Sequence, residues 1–146
     1  MKGQLPSVTI VRRINASPAS VWAAITQPAL MMRWWGPDAG PTLSVEVDVR
    51  PGGRFSVVFR LLNGDEHNPT GIYREVVLEQ KLVFTWDLPG SPEPQSLVTF
   101  RLKPFEGGTE LTLTHEHLPD EAARTSHEQG WNGLLDKLPI FLGVAP

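Results

Sequence analysis

The sequence predicts an α+β fold in which a curved, seven-stranded antiparallel sheet surrounds a long C-terminal helix, with two short helices after the first strand. Three observations support this prediction. Between about residues 42 and 117, apolar residues alternate with polar ones, which is the period of half-buried strands. Short turns separate these strands, and consecutive strands joined in this way pair as an antiparallel meander. From Asp120 onward the apolar residues recur at helical spacing instead.

The N-terminal part supplies the first strand, at residues 8–14, and the two short helices. Ser17-Pro18 predicts a helix start, because the serine oxygen accepts an unpaired backbone N–H and proline at the first helical position gives up a donor that had no partner. A second short helix is predicted from Pro28 to about Trp35. Gly36-Pro37 follows it and cannot continue a helix.

The six strands of the meander are predicted at residues 42–49, 55–61, 71–78, 82–86, 97–103 and 110–117. The alternation is plain in the second of these, where Phe55, Val57 and Phe59 share one face. Turns are predicted at residues 51–53, 63–65, 79–80 and 106–108, with a loop at 89–94. An antiparallel sheet of this kind needs a cover for its apolar face.

The C-terminal helix is the one element long enough to provide that cover. Its apolar stripe begins at Trp131 and follows the spacing i, i+3, i+4, i+7, i+10, i+11 to Leu142. Asp120-Glu121 suits a helix N-terminus, where negative charge is favoured. Gly130 and Pro139 lie within the stripe, so we expect a bend or an early end.

Length and composition limit the functional classes. A chain of 146 residues predicts a single domain, covering residues 1–146. The net charge of −3 argues against nucleic-acid binding, and the absence of cysteine excludes disulfides and thiolate metal sites. We find no apolar run of signal-peptide or membrane-span length. These observations predict a cytoplasmic protein.

Ordered motifs along the chain carry a resemblance to a known family. They are Ala16-Ser17-Pro18 with Val21-Trp22, Arg33-Trp34-Trp35-Gly36-Pro37, Pro51-Gly52-Gly53-Arg54-Phe55, Gly71-x-Tyr73-x-Glu75-Val76, Leu82-Val83-Phe84-Thr85-Trp86, Gly108-Thr109-x-Leu111-Thr112-Leu113-Thr114-His115 and Gly130-Trp131. The sequence resembles the START-like, pollen-allergen-like helix-grip superfamily (SRPBCC). It is similar in particular to the branch related to the C-terminal domain of the activator of the ninety-kilodalton heat-shock protein ATPase. The resemblance implies the helix-grip fold but no single function, because the superfamily includes lipid carriers, hormone receptors, cyclases and cochaperone domains.

The candidate ligand site is a cavity between the sheet and the last helix. Its predicted lining consists of Trp35, Phe55, Phe59, Tyr73, Phe84, Trp86, Phe100, His115, Trp131, Leu135 and Leu138. At ~24 cal/mol per Å³, an empty void of roughly 400 Å³ would cost about 10 kcal/mol, as much as a whole domain's stability. Either the aromatic side chains fill that space themselves, or water or a ligand occupies it.

The segment His115-Glu116-His117 is the candidate for polar chemistry. If all three residues are in one strand, His115 and His117 share a face and could ligate a metal or act as acid and base. Two histidines do not complete a zinc site, so we predict no metal and no cofactor. His115 is instead predicted to be a polar contact for a ligand, together with Tyr73. Glu75 and Asp87 are strand carboxylates whose direction the sequence leaves open.

The predicted function is the non-enzymatic binding of a small apolar or aromatic molecule, and no catalytic residue is assigned. The first alternative is a cyclase or isomerase that acts in the same cavity, with His115 or a carboxylate moving a proton. The second, implied by the resemblance alone, is a cochaperone-like interaction module that contacts a chaperone. Monomer and homodimer both remain open.

Overall fold

A computed structural model of the chain describes residues 5–144, so residues 1–4 and 145–146 of the predicted domain lie outside the description. The elements, in chain order, are β1 (Val8–Ile14), α1 (Pro18–Thr26), α2 (Pro28–Met31), β2 (Thr42–Val47), β3 (Arg54–Arg60), β4 (Glu66–His67), β5 (Thr70–Val77), β6 (Lys81–Trp86), β7 (Ser96–Phe105), β8 (Gly108–Glu116) and α3 (Glu121–Leu142). The predicted order of one strand, two short helices, a run of strands and one long helix is confirmed.

The sheet follows the order β1-β8-β7-β6-β5-β3-β2, and every paired strand is antiparallel. These seven strands form a curled half-barrel, so the predicted fold class is confirmed. The two-residue strand β4 also pairs with β3, beside the turn predicted at residues 63–65. It stays short because Pro69, two residues beyond it, has no N–H to donate to a ladder.

The two short helices begin as the sequence predicts. The Ser17 side chain accepts the backbone N–H of Ser20, and Pro18 is the first residue of α1. Helix α2 is shorter than predicted and ends at Met31 rather than near Trp35. The chain continues as a turn, in which the backbone N–H groups of Trp34 and Trp35 both bond the carbonyl of Met31.

Helix α3 runs uninterrupted from Glu121 to Leu142, so the predicted early end is wrong. Asp120 caps the start by accepting the N–H of Ala123, and Gly143 ends the helix in the left-handed conformation, with φ of 71°. The helix tolerates Gly130 and Pro139 because its apolar face is buried against the sheet. Tertiary packing of this kind outweighs local propensity. The buried residues of that face include Trp131, Leu134, Leu135 and Leu138.

The core lies between the curled sheet and α3, and the buried apolar residues form one continuous cluster. Aromatic rings make up its centre. Phe55 stacks on Phe84 with ring centroids 4.6 Å apart, and Phe84 stacks on Phe100 at 6.2 Å. Trp131 of α3 meets Phe100 edge to face at 6.0 Å. The helix therefore packs directly on the aromatic face of the sheet.

Candidate functional site

A cavity of about 400 Å³ lies where the N-terminal half of α3 meets the ends of β3 and β6 and the loop after Trp35. Its lining residues are Trp35, Gly36, Pro37, Asp38, Phe59, Leu61, His67, Trp86, Leu88, Ser126, His127, Gln129, Gly130, Trp131 and Leu134. The side chains of Ser126 and Gln129 are exposed, so the cavity is reached from solvent at this edge. This volume lies within the roughly 300–1,000 Å³ of small-molecule sites.

Four of the eleven residues that the sequence predicts for the site line this cavity: Trp35, Phe59, Trp86 and Trp131. The ring centroids of Trp86 and Trp131 are 5.2 Å apart, and those of Trp35 and Trp131 are 6.3 Å apart with the rings perpendicular. Trp86 is only half buried, whereas Trp35 and Trp131 are buried. These three indoles give the cavity an aromatic wall.

The other seven predicted residues lie in the closed core and do not line the cavity: Phe55, Tyr73, Phe84, Phe100, His115, Leu135 and Leu138. None of them is more than 1% exposed. Period-two spacing predicts the face of the sheet on which a residue lies. It does not predict where along that face the side chains pack closely and where they leave a cavity. The aromatic residues therefore fill the deep interior and leave space at one edge.

The loop at the edge of the cavity approaches α3 unusually closely. A Cβ added to Gly133 would lie 2.0 Å from the carbonyl oxygen of Pro37, so glycine is required there. Gly36 adopts φ of 121°, which L-residues rarely adopt. From α3, the Lys137 ammonium donates to the backbone carbonyl of Asp38 at 2.6 Å. These contacts fix the position of one side of the cavity.

His115 is fully buried, and the surrounding residues engage both of its ring nitrogens. Trp131 Nε1–H donates to His115 Nδ1 at 2.9 Å, and His115 Nε2 lies 2.7 Å from the Ser96 hydroxyl oxygen. Burial, and then the nearby His127, lower the pKa of His115 to about 3, so the ring is neutral near pH 7. Because an indole N–H can only donate, Nδ1 accepts and the His115 proton lies on Nε2.

This geometry changes the role predicted for His115. A neutral imidazole with a donor on Nδ1 and a hydroxyl at Nε2 has no free lone pair to offer a substrate or a metal. His115 lies behind Trp86 and Trp131, with ring centroids 5.6 Å and 5.9 Å from theirs. It joins α3 to strands β7 and β8.

The predicted common face for His115 and His117 is wrong. Strand β8 ends at Glu116, and His117 adopts φ of 67°, which turns the chain out of the strand. The side chain of His117 is 59% exposed and lies 3.9 Å from Glu116. In the described part of the chain, residues 5–144, no three His, Cys, Asp or Glu side chains come close enough to hold a metal ion.

His127, to which sequence analysis gave no role, takes the position beside His115. The two ring centroids are 4.5 Å apart, and His127 lines the cavity. Its Nε2 lies 2.9 Å from Glu93 Oε1, and the side chains of the pair are 15% and 33% exposed. The signal was present in the sequence, because His127 precedes Trp131 by four residues and must share its helix face.

The two strand carboxylates considered for acid–base chemistry do not line the cavity. Glu75 is exposed and pairs with Lys81 at 3.0 Å. Asp87 accepts a hydrogen bond from the Gln95 amide at 3.1 Å.

Two side-chain polar atoms of residues 5–144 are buried without a hydrogen-bond partner: Tyr73 Oη and Trp86 Nε1. Burial, with a smaller contribution from the charge of Asp48, raises the pKa of Tyr73, so its hydroxyl stays protonated. Tyr73 lies in the core against Phe55 and Phe84 and does not line the cavity, so its role as a ligand contact stays a prediction. Trp86 does line the cavity.

A second cavity of about 400 Å³ lies at the other end of α3, between the end of α2 and the start of β2. Trp34, Lys137 and Phe141 are among its lining residues. Trp35 lines both cavities, whereas Trp22 lines neither. The two cavities therefore differ in their tryptophans, since Trp86 and Trp131 line only the first and Trp34 lines only the second.

Comparison with known proteins places this geometry in context. A family model described as Activator of Hsp90 ATPase homolog 1-like protein matches residues 15–143. Protein CV1439 of Chromobacterium violaceum superposes with a TM-score of 0.84 at 25% identity, covering 92% of this chain and 94% of that one. The AHSA1 protein SPO3351 of Silicibacter pomeroyi gives 0.84 at 26% identity, covering 94% and 98%. CalU16 of Micromonospora echinospora gives 0.74 at 29% identity, covering 95% and 77%.

A search of curated proteins finds no match to this chain. Within residues 5–144, no helix has both the length and the apolar character needed to cross a membrane.

Proposed function

Since the chain belongs to the family of Activator of Hsp90 ATPase homolog 1-like proteins, whose helix-grip fold is compatible with ligand binding, we propose that it binds a small apolar or aromatic molecule. The binding site is the cavity beside the N-terminal half of α3. The observation that carries the proposal is that Trp35, Trp86 and Trp131 surround about 400 Å³ of space that no side chain fills.

The openness of the cavity makes it accessible to a ligand. Solvent reaches the space past the exposed side chains of Ser126 and Gln129, so a ligand that enters it displaces water. Indole faces offer water few hydrogen bonds, whereas an apolar molecule releases that water and packs against the rings. An aromatic ligand suits this wall best, because perpendicular and offset ring contacts are favourable.

The enzymatic alternative loses His115 as its proton carrier, although His127, which lines the cavity, remains a candidate for that role. A cyclase or isomerase acting in this cavity would need a group with a free lone pair within reach of the substrate. His115 has none, because Trp131 and Ser96 engage its nitrogens. The chaperone-contact alternative rests on the name of the family, and capture of a ninety-kilodalton heat-shock protein by the purified chain would support it.

Ligand-dependent stabilisation tests the binding proposal. Addition of 2-methoxynaphthalene should raise the free energy of unfolding by about 2.7 kcal/mol when its concentration is a hundred times Kd. The measurement is thermal or urea unfolding with and without the probe. If no member of a panel of small apolar and aromatic compounds stabilises the protein, the proposal is wrong.

Two neighbouring positions on α3 provide a matched control. Ser126 and Thr125 are both exposed helix residues, but of the two only Ser126 lines the cavity. Ser126→Trp should place an indole in the cavity mouth and abolish the stabilisation by 2-methoxynaphthalene. Thr125→Trp should leave it intact. Equal effects of the two substitutions would show that the probe binds elsewhere.

A further inference from the structure

We infer that the Glu93–His127 pair is a hydrogen-bond acceptor for the ligand, and that the cavity therefore selects aromatic molecules that carry a hydroxyl group. This inference rests on the proposed function and makes it more specific, since it names the polar group that a bound aromatic molecule presents.

The hydrogen bond to Glu93 determines which nitrogen of His127 is available. An ionised carboxylate can only accept, so the Nε2 atom that lies 2.9 Å from Glu93 Oε1 carries the proton. In the neutral ring the lone pair is then on Nδ1. None of residues 5–144 forms a hydrogen bond with Nδ1, and Nδ1 is not among the buried polar atoms that lack a partner. It is therefore accessible to solvent.

The surroundings of His127 make this acceptor specific to the cavity. The neighbouring His115 is neutral and has both nitrogens engaged, so it does not compete for a donor. The Trp86 ring is perpendicular to the His127 ring, with centroids 6.4 Å apart. A ligand ring packed against Trp86 could thus place one of its substituents beside the His127 ring. Both residues line the same space.

The charges at the edge of the cavity include both signs. Glu93 holds His127 and Asp38 lines the cavity, while the Lys137 ammonium lies at the Asp38 backbone carbonyl. The ligand group is therefore chosen by the hydrogen bond that His127 Nδ1 can accept. A carboxylate on one nitrogen of an imidazole also strengthens the other nitrogen as an acceptor. A phenol-like hydroxyl, which is a good neutral donor, matches this arrangement.

Two probes that differ only in a hydroxyl against a methoxy group test the inference. The dissociation constants of 2-naphthol and 2-methoxynaphthalene are measured by calorimetry for the wild-type chain and for His127→Leu. A single hydrogen bond predicts that 2-naphthol gains about fivefold in relative affinity in the wild type over the variant. Binding of 2-methoxynaphthalene should change little. An unchanged ratio of the two affinities would overturn the inference.

A second pair of variants keeps the test sound if His127→Leu folds poorly. Glu93→Ala removes the carboxylate that orients His127, so it should reduce the preference for 2-naphthol. Glu116→Ala removes the carboxylate of the other His–Glu pair, Glu116–His117. That pair lies outside the cavity lining, so this variant should not change the preference for 2-naphthol. Equal effects of these two variants would also overturn the inference. If neither probe binds the wild type, the inference is wrong, and the panel of apolar and aromatic compounds then decides the proposed function separately.

Discussion

Two histidines with ring centroids 4.5 Å apart divide the interior into a closed region and an open one. Around His115, every ring nitrogen has a partner and the side chain is fully buried. Around His127, Glu93 holds one nitrogen and the side chain borders a cavity of about 400 Å³. The two rings touch, yet one is surrounded by packed core and the other faces unfilled space.

The difference shows where this molecule has space for the proposed ligand. The closed region has good candidate residues by type, including Tyr73 and His115, but packing encloses Tyr73 and internal hydrogen bonds engage His115. The open region has fewer aromatic residues and more polar ones, and it is the place where space remains. Recognition needs unfilled volume as well as suitable side chains.

The first prediction contrasts the two regions by truncating one ring in each. Phe100→Ala removes a ring from the closed core and should cost ~3–5 kcal/mol of unfolding free energy, because both transfer and cavity terms apply. Trp86→Ala enlarges a space that is already open to solvent, so its cost should be visibly smaller, while it weakens binding of 2-methoxynaphthalene. Urea unfolding of both variants measures the costs. A full core-sized cost for Trp86→Ala with unchanged probe binding would mean that the regions do not differ.

The second prediction concerns pH, since the closed region holds a histidine whose pKa is lowered to about 3. The unfolded chain binds a proton at His115 below its ordinary pKa of about 6.5, whereas the folded chain does not until about pH 3. The stability that His115 contributes is therefore complete above about pH 6.5 and is lost as the pH falls toward 3. We expect a loss on the order of 2 kcal/mol between pH 7.5 and pH 5.

The matching variant for this pH test is His115→Gln, which cannot titrate. Urea unfolding at the two pH values should show a smaller loss for His115→Gln than for the wild type, although the variant itself is less stable at pH 7.5. If the wild type and His115→Gln lose the same stability between pH 7.5 and pH 5, His115 is not buried in the neutral form.

The third prediction tests the contact that positions the edge of the cavity. Gly133→Ala would bring a methyl group within 2.0 Å of the Pro37 carbonyl oxygen, so the loop must move, at a cost of ~1–3 kcal/mol. At Gly130, three residues earlier on the same helix, an added Cβ would lie 3.7 Å from the nearest atom, Pro37 Cβ. Gly130→Ala should stabilise the protein by up to about 1 kcal/mol through helix propensity. Melting temperatures that move in the same direction would contradict this account.

The sequence predicts the fold well because the patterns that specify helix starts and strands are local. Ser17-Pro18 and Asp120 begin helices where predicted, and alternation in the strands gives the sheet. The misjudged elements are those in which tertiary contacts decide. Helix α3 passes through Pro139 because the helix is held against the sheet. Helix α2 ends at Met31, before a turn, and Trp34 and Trp35, which follow the helix, are buried.

The site was less predictable than the fold, because a cavity depends on where packing ends. Trp86 and Phe84 share a strand face in the sequence, yet one lines the cavity and the other lies in the core. The Glu93–His127 pair joins a loop residue to a helix residue 34 positions later, so no local sequence pattern predicts the pair. The phase of His127 relative to Trp131 was the available signal.

The tryptophan indole N–H resonances in ¹H–¹⁵N NMR spectra report where a ligand binds, since some of the five indoles line the cavity and others do not. Titration with 2-methoxynaphthalene should shift the signals of Trp86 and Trp131, which line the cavity, and leave that of Trp22 unchanged. The signal of Trp34, which lines only the second cavity, should also stay unchanged. Shifts confined to Trp34, or no shift at a probe concentration near saturation of its solubility, would contradict ligand binding in this cavity.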